Sequence, residues 1–177
     1  MDSWSFPLGP FKPEDCPTPD TRAACIADIA ALPGDLRASL ASLTDERLLV
    51  PYRPGGWTVK QVVHHMSDND MNAYIRFKRG LTEESPVAGS YRQDVWAELA
   101  DYRDTRIDTS LLLIEALHER FVILLRSLAP ADFARTVTSP AHGEMTLDIA
   151  MQRYSWHNRH HLAQIQSLNV RMGWNDK

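Results

Sequence analysis

Residues 146–170, TLDIAMQRYSWHNRHHLAQIQSLNV, decide the fold of this chain. Apolar side chains recur there at intervals of three and four residues, which predicts a long helix with one buried face. That face carries Leu147, Met151, Tyr154, His161, Ile165 and Leu168. We therefore expect a helix from Thr146 to about Val170, with His157 beside its buried stripe.

The same periodicity predicts three further long helices. An Ala- and Leu-rich run over residues 19–43 is the first, and we expect Pro33-Gly34 to kink or divide it, because proline cannot continue the backbone ladder. The second is predicted over residues 58–79 with its end at Gly80, and the third over residues 107–128.

The segments between these helices are less regular. The first nineteen residues hold five of the eleven prolines, so residues 1–18 are interpreted as an extended arm. A short helix is expected over residues 95–102, and residues 136–145 are typical of a small hairpin or irregular connection. We predict an all-α protein: a single domain over residues 1–177, folded as an antiparallel four-helix bundle with a hairpin or irregular connection before its last helix.

Composition excludes several classes of protein. The 177 residues are 44% hydrophobic and 24% charged, as in ordinary globular domains, and the net charge of -4 gives no general attraction to nucleic acid or anionic lipid. No stretch approaches the roughly 18 apolar residues of a membrane helix, and no signal peptide is evident. With Cys16 and Cys25 interpreted as free thiols, we expect a soluble cytoplasmic protein that binds neither nucleic acid nor membrane.

Five of the seven histidines fall into two groups, His64-His65 on the second helix and His157, His160 and His161 on the last. Residues four apart on a helix share a face, so His157 and His161 can direct their imidazoles to one point. The second helix would supply His65 or His64 as a third ligand. Three neutral imidazoles and one solvent position form the arrangement of an open catalytic zinc site.

The same histidines also have simpler interpretations. The zinc-protease motif HExxH needs a glutamate where this chain has Asn158, which disfavours that class. His160 and His64 are each rotated about 100° from their neighbours, so we expect them behind the ligands or at the surface. A competing pair, His64 with Asp68, is ranked lower. Two further histidines are expected to be hydrogen-bonded core or surface residues: His118 and His142.

Several side chains near these histidines are candidates for a substrate pocket. The aromatic ones are expected to pack in the core, and to become walls if a pocket opens at the metal: Tyr74, Tyr154 and Trp156. Arg53 and Arg159 are expected to be solvated or ion-paired, although the planar fork of either could hold a substrate carboxylate.

Four stretches carry a family resemblance: FPLGPF (6–11), YRPGGWTVKQVVHHMSDNDMNAYIRFKRGLTE (52–83), LLLIEALHERFVILLRSLAPADFARTV (111–137) and YSWHNRHHLAQI (154–165). With them, the chain resembles the YfiT-like branch of the DinB-like superfamily, which includes bacillithiol S-transferases. The resemblance implies an antiparallel four-helix bundle, a homodimer in some members, and a divalent metal. By motif position the implied ligands are His65, His157 and His161. Gln164 stands where relatives often have another histidine, which makes it a further candidate pocket residue.

The resemblance implies two activities, which differ in what occupies the open metal position. A bound thiol would be deprotonated and attack as thiolate, whereas a bound water would attack in a hydrolysis. Because the specific similarity is to thiol-transferring relatives, we expect a metal-dependent S-transferase that joins a low-molecular-weight thiol cosubstrate, such as bacillithiol, to a small electrophile. Zinc is the default metal, and nickel or another first-row ion also suits three imidazoles.

Two alternatives stay open. One is a metal-dependent hydrolase using metal-activated water, which would need a carboxylate to handle the water proton; Asp68, Glu144 and Asp148 are candidates, and none is assigned. The other is a non-catalytic, stress-associated ligand-binding module in which the histidines only pack the bundle.

Overall fold

The computed structural model of the protein describes residues 4–174. In chain order its elements are α1 (Pro19–Leu40), α2 (Asp45–Leu48), α3 (Val59–Thr82), α4 (Gln93–Trp96), α5 (Ala100–Asp104), α6 (Ile107–Arg126), α7 (Pro130–Phe133), β1 (Thr136–Ser139), β2 (Gly143–Thr146) and α8 (Leu147–Arg171). The long helices α1, α3, α6 and α8 form the bundle, and β1 pairs with β2 in an antiparallel hairpin before α8. The predicted four-helix bundle with a small hairpin is confirmed.

The connectivity places α1 and α3 at opposite corners of the bundle, because each packs against both α6 and α8. Arg22 binds Asp148 near the start of α1 and α8, and Asn169 donates to the Ser39 carbonyl near their ends, so these helices run parallel. The long connection over residues 83–106 likewise brings α6 parallel to α3. The expected antiparallel arrangement holds for the other two neighbouring pairs, α1 with α6 and α3 with α8.

Threonine caps begin three of the four long helices where the sequence predicts a start. The side chain of Thr18 accepts from the Thr21 N–H, and Thr146 accepts from the Ile149 N–H. Thr58 forms a reciprocal capping box with Gln61. These bonds satisfy donors that have no partner within the helix, so the starts of α1, α3 and α8 are set locally.

Helix α3 ends at Thr82 and not at Gly80, where the sequence predicts its end. Gly80 lies inside the last turn of α3, where α8 packs closely against it. A Cβ at this position would lie 2.7 Å from Leu147 Cδ2, which is why the position favours glycine. The glycine thus serves close packing between α3 and α8 rather than helix termination.

Helix α1 is continuous through Pro33, so the predicted division at Pro33-Gly34 is absent. Pro33 has no N–H to donate to the carbonyl of Ile29, one turn earlier. The Nδ1–H of His118, on α6, donates to that carbonyl instead, at 2.6 Å. A buried side chain thus replaces the backbone hydrogen bond that proline removes.

The irregular segments agree in part with expectation. The short helix predicted over residues 95–102 is two helices, α4 and α5, separated at residues 97–99. Residues 4–18 contain neither helix nor strand, while residues 1–3 of the predicted arm lie outside the described residues. The single-domain assignment stays a prediction. No helix within residues 4–174 is long and apolar enough to cross a bilayer.

Two groups of buried apolar side chains fill the bundle. One includes Met66, Ile114 and Leu162, and the other includes Phe121 and Tyr154. Positions 154 and 162 of α8 therefore belong to different groups, and the histidines of α8 lie on the segment between them.

Candidate metal centre

Three imidazoles from α3 and α8 converge at one point. Nε2 of His157 lies 3.2 Å from Nε2 of His65 and 3.2 Å from Nε2 of His161. One ligand atom from each of the three lies within 4.8 Å of the others, and within residues 4–174 this is the one group of three or more potential side-chain ligands. His65 and His161 are buried, while His157 is partly exposed.

The spacing of these nitrogens fits a first-row divalent ion. Two imidazole nitrogens, each about 2.0–2.1 Å from zinc and separated by the tetrahedral angle, lie about 3.3 Å apart. The observed separation of 3.2 Å is close to that value. Three neutral imidazoles suit zinc and nickel alike, so the donor set fits a metal without selecting one.

A side chain on α8 orients His161. Its Nδ1 lies 2.8 Å from Oε1 of Gln164, and because a carbonyl oxygen only accepts, Nδ1 carries the proton. The lone pair of His161 is therefore on Nε2, the atom that faces the other imidazoles. Gln164 also donates from Nε2 to the carbonyl of Ser5, so this ligand is tied to the N-terminal arm.

Asn69 stands behind His157, with its amide nitrogen 3.2 Å from Nδ1. Metal ligation through Nε2 requires the proton on Nδ1. The Asn69 amide, turned by 180°, presents its oxygen to accept a hydrogen bond from that Nδ1–H. Trp57 packs on His65 with ring centroids 4.7 Å apart, while Nδ1 of His65 is buried without a hydrogen-bond partner among the described residues.

Burial keeps the three ligands neutral. It lowers the pKa of His65 to about 2, and the charge of His161 adds to this effect. Burial and then His65 lower the pKa of His157 to about 3. The pKa of His161 is also well below its ordinary value, first because of burial and then because of His157. The site therefore presents lone pairs rather than charged imidazolium groups near neutral pH.

The histidines open into a cavity of about 840 Å³. Three of the four predicted pocket residues line it: Tyr154, Trp156 and Gln164. Tyr74 is outside this lining and packs against the core, which is the first of the two expectations for the aromatic side chains. It follows His65 by nine residues, which is half a turn out of phase on an α-helix. Its ring packs edge-on against Phe121 in the core, at a centroid distance of 5.8 Å.

The carboxylates considered for base catalysis lie away from the imidazoles. Tyr102 donates to Asp68 at 2.6 Å, and Arg22 forms two hydrogen bonds with Asp148. Glu144 is exposed on β2. None of these three lines the cavity.

The remaining histidines have separate roles. Nδ1 of His64 lies 2.8 Å from the Ser110 hydroxyl, so the competing pair of His64 with Asp68 does not form. His160 is buried, lines the cavity and stacks on Trp156, with ring centroids 4.8 Å apart. His118 is buried and hydrogen-bonded, whereas His142 is exposed at the edge of the cavity.

Of the two arginines considered for a substrate carboxylate, Arg159 pairs with Asp28 of α1. Arg53 lines the cavity but donates to Tyr52 and Pro54. Asn69 is a residue of the site that the histidine pattern does not predict, although its position four residues after His65 places it on the same helix face.

Gln164→Ala is expected to weaken metal binding by about 10–100-fold, the usual effect of removing a group that orients a ligand. Isothermal titration with zinc would measure this change. Gln166→Ala is the matched control, because Gln166 is exposed on the same helix and bonds Ser39. Equal zinc affinity in the Gln164→Ala and Gln166→Ala proteins would contradict the orienting role.

Fold and site together define a helical bundle with an open three-histidine metal centre. The chain belongs to the DinB superfamily, whose profile matches residues 28–165. It is 42% identical over 174 residues to a Bacillus mycoides protein named "putative metal-dependent hydrolase", covering 98% of this chain and 100% of that one. A Geobacillus kaustophilus protein of the same description is 44% identical over 176 residues, with 98% of each chain covered.

A solved structure agrees with these relatives. YfiT from Bacillus subtilis, described as "a probable metal-dependent hydrolase with an unusual four-helix bundle topology", superimposes with a TM-score of 0.94 at 40% identity. The match covers 98% of this chain and 99% of that one. The family resemblance inferred from sequence is thereby confirmed, and the similar proteins support the hydrolase rather than the expected transferase.

Proposed function

We propose that this protein is a hydrolase that acts on small molecules through a divalent metal held by His65, His157 and His161. The observation that carries the proposal is the convergence of three Nε2 atoms at the wall of an open cavity. A metal bound there supplies Lewis-acid activation of water and of the substrate.

The protein itself orients the ligands and shapes the space beside them. Gln164 fixes the tautomer of His161, and Asn69 is placed to do the same for His157. Trp57 holds the ring of His65, and Trp156 forms part of the cavity wall. A small molecule can therefore approach from the cavity while the histidine rings stay fixed from behind.

The cavity offers little carboxylate for proton transfer. Among the described residues that line it, Asp94 is the one carboxylate, and Arg92 binds it at 2.9 Å. A metal held by the three histidines would lower the pKa of a bound water, which would reduce the need for a protein base beside it.

The convergence of the three Nε2 atoms at an open cavity also supports a second candidate function, thiol S-transfer. A thiol has a pKa of about 8–9 and releases its proton more readily than water, so it has less need of a protein base. In this second candidate function, the two substrates are a low-molecular-weight thiol and a small electrophile.

Turnover assays on the zinc- and nickel-loaded protein separate the two activities. We expect hydrolysis of an uncharged nitrophenyl ester without thiol, its loss in His161→Ala, and its retention in His142→Ala. A chromogenic aryl halide offered with bacillithiol, glutathione or water tests transfer. Turnover that requires a thiol, with no ester hydrolysis, would replace the hydrolase by the transferase. Absence of metal uptake would instead support a non-catalytic module.

A further inference from the structure

Two arginines on the wall of the metal cavity have no ion-pair partner among residues 4–174. Arg76 on α3 and Arg153 on α8 both line the cavity and are partly buried. The Nε atom of each is buried without a hydrogen-bond partner among the described residues. Within residues 4–174 every ion pair involves other side chains.

The two guanidinium groups act on the same region. Burial lowers the pKa of Arg153, and the nearby charge of Arg76 lowers it further. Burial also lowers the pKa of His142, with further contributions from Arg153 and then Arg76. The antiparallel packing of α3 and α8 is consistent with this proximity, since Gly80 meets Leu147, four residues after Arg76 and six residues before Arg153.

Arg76 and Arg153 lie close to the metal ligands. Arg153 precedes His157 by four residues, which is about one helical turn or 6 Å along the axis of α8. One small molecule can therefore reach both the arginines and the imidazoles.

The other two arginines of the cavity are already engaged. Arg92 is exposed and pairs with Asp94, and Arg53 donates to the Tyr52 hydroxyl and the Pro54 carbonyl. Arg153 makes a cation–π contact, with its guanidinium carbon 4.4 Å from the ring centroid of Phe11, and a contact over a ring face occupies no N–H group.

Partial burial of a cation without a partner raises the free energy of the folded protein. The planar guanidinium group of arginine matches the paired oxygens of a carboxylate or phosphate. We propose that Arg76 and Arg153 form an anion-binding subsite for a small substrate that carries a carboxylate or phosphate group, with its reacting group at the three histidines. This inference rests on the proposed function for the reacting end of the substrate. The cavity volume of about 840 Å³ is within the range of small-molecule sites.

The binding test uses the metal-loaded protein and two probes, succinate and inorganic phosphate, in calorimetric titrations at constant ionic strength. Arg76→Gln and Arg153→Gln are each expected to weaken binding of at least one probe by about tenfold or more, as for other charge-assisted hydrogen bonds. Arg153→Lys, which keeps the charge, should recover part of the affinity. Arg92→Gln is the matched control and should bind as the wild type does.

Metal content and circular dichroism are measured for every variant, so loss of the metal or of the fold is not taken for loss of the subsite. No saturable binding of either probe by the wild type would overturn the inference. Equal affinity in the wild type and in the Arg76→Gln/Arg153→Gln double variant would also overturn it.

A second comparison separates this inference from the proposed function. We expect Arg76→Gln and Arg153→Gln to raise KM for a carboxylate-bearing nitrophenyl ester relative to an uncharged one. Metal uptake and ester hydrolysis with no such discrimination would refute the subsite and leave the hydrolase intact. Arginine-dependent anion binding by a protein that takes up no metal would refute the hydrolase and support the subsite.

Discussion

His157→Ala protein is expected to purify without stoichiometric metal, whereas the wild type should hold one equivalent after loading and dialysis. Nε2 of His157 lies 3.2 Å from the corresponding atoms of both other ligands, so its removal takes away the central donor. Losing a direct ligand should weaken binding by more than the about 10–100-fold that follows loss of an orienting partner. Elemental analysis and zinc titration measure the change.

His142→Ala is the matched control for this experiment, because His142 is exposed at the edge of the same cavity and is outside the ligand set. It should retain one metal equivalent. Circular dichroism of both variants shows whether the bundle is intact. Metal bound by folded His157→Ala protein at the wild-type affinity would disprove the three-histidine centre.

Asp70→Asn is expected to lower the free energy of unfolding by about 3–5 kcal/mol, as when one partner is removed from a buried ion pair. Asp70 is 0% exposed, and its Oδ2 lies 2.7 Å from Nε2 of His118. Because Nδ1 of His118 donates to the Ile29 carbonyl, an Nε2–H bond to Asp70 makes this imidazole positively charged.

The size of this effect should depend on pH. Burial opposes the charged form of His118, but the hydrogen bond and charge of Asp70 outweigh it and raise the pKa in the folded protein. The stabilisation is therefore complete below the unfolded pKa of about 6.5 and is lost as pH rises through the higher folded pKa. Urea unfolding of both proteins, from about pH 6 upward, measures the difference.

Asp94→Asn is the control for the buried pair, since Asp94 pairs with Arg92 at the exposed surface and should be replaceable without measurable change. Equal stability of Asp70→Asn and wild type, or a difference that grows with pH, would rule out a charged His118 paired with Asp70. The Tyr154 hydroxyl, 2.9 Å from Nε2 of His118, connects this pair to the cavity wall.

Local sequence was sufficient for the helix starts and for half of the metal site. Thr18, Thr58 and Thr146 bond to backbone groups three residues away, so their effect does not depend on the rest of the fold. The spacing of His157 and His161 likewise places both on one face of α8. The choice between adjacent His64 and His65 came from the family resemblance, because periodicity does not say which flank of α3 meets α8.

The sequence was less informative about the reaction than about the metal site, as the expected thiol transfer shows. Residue spacing gave a metal centre with an open position but not the nucleophile that would use it. The relatives and the solved structure are described as hydrolases, and the cavity chemistry on its own is compatible with water or thiol.

The sequence by itself determined the four long helices, the threonine caps of three of them and the i, i+4 histidine pair, because each depends on contacts within a few residues. Only the tertiary structure decided that α1 continues through Pro33 and that Arg76 and Arg153 line the same cavity. Helical periodicity fixes the direction of a side chain around its own axis. Which neighbour it meets depends on how four helices are arranged and on which of them run parallel.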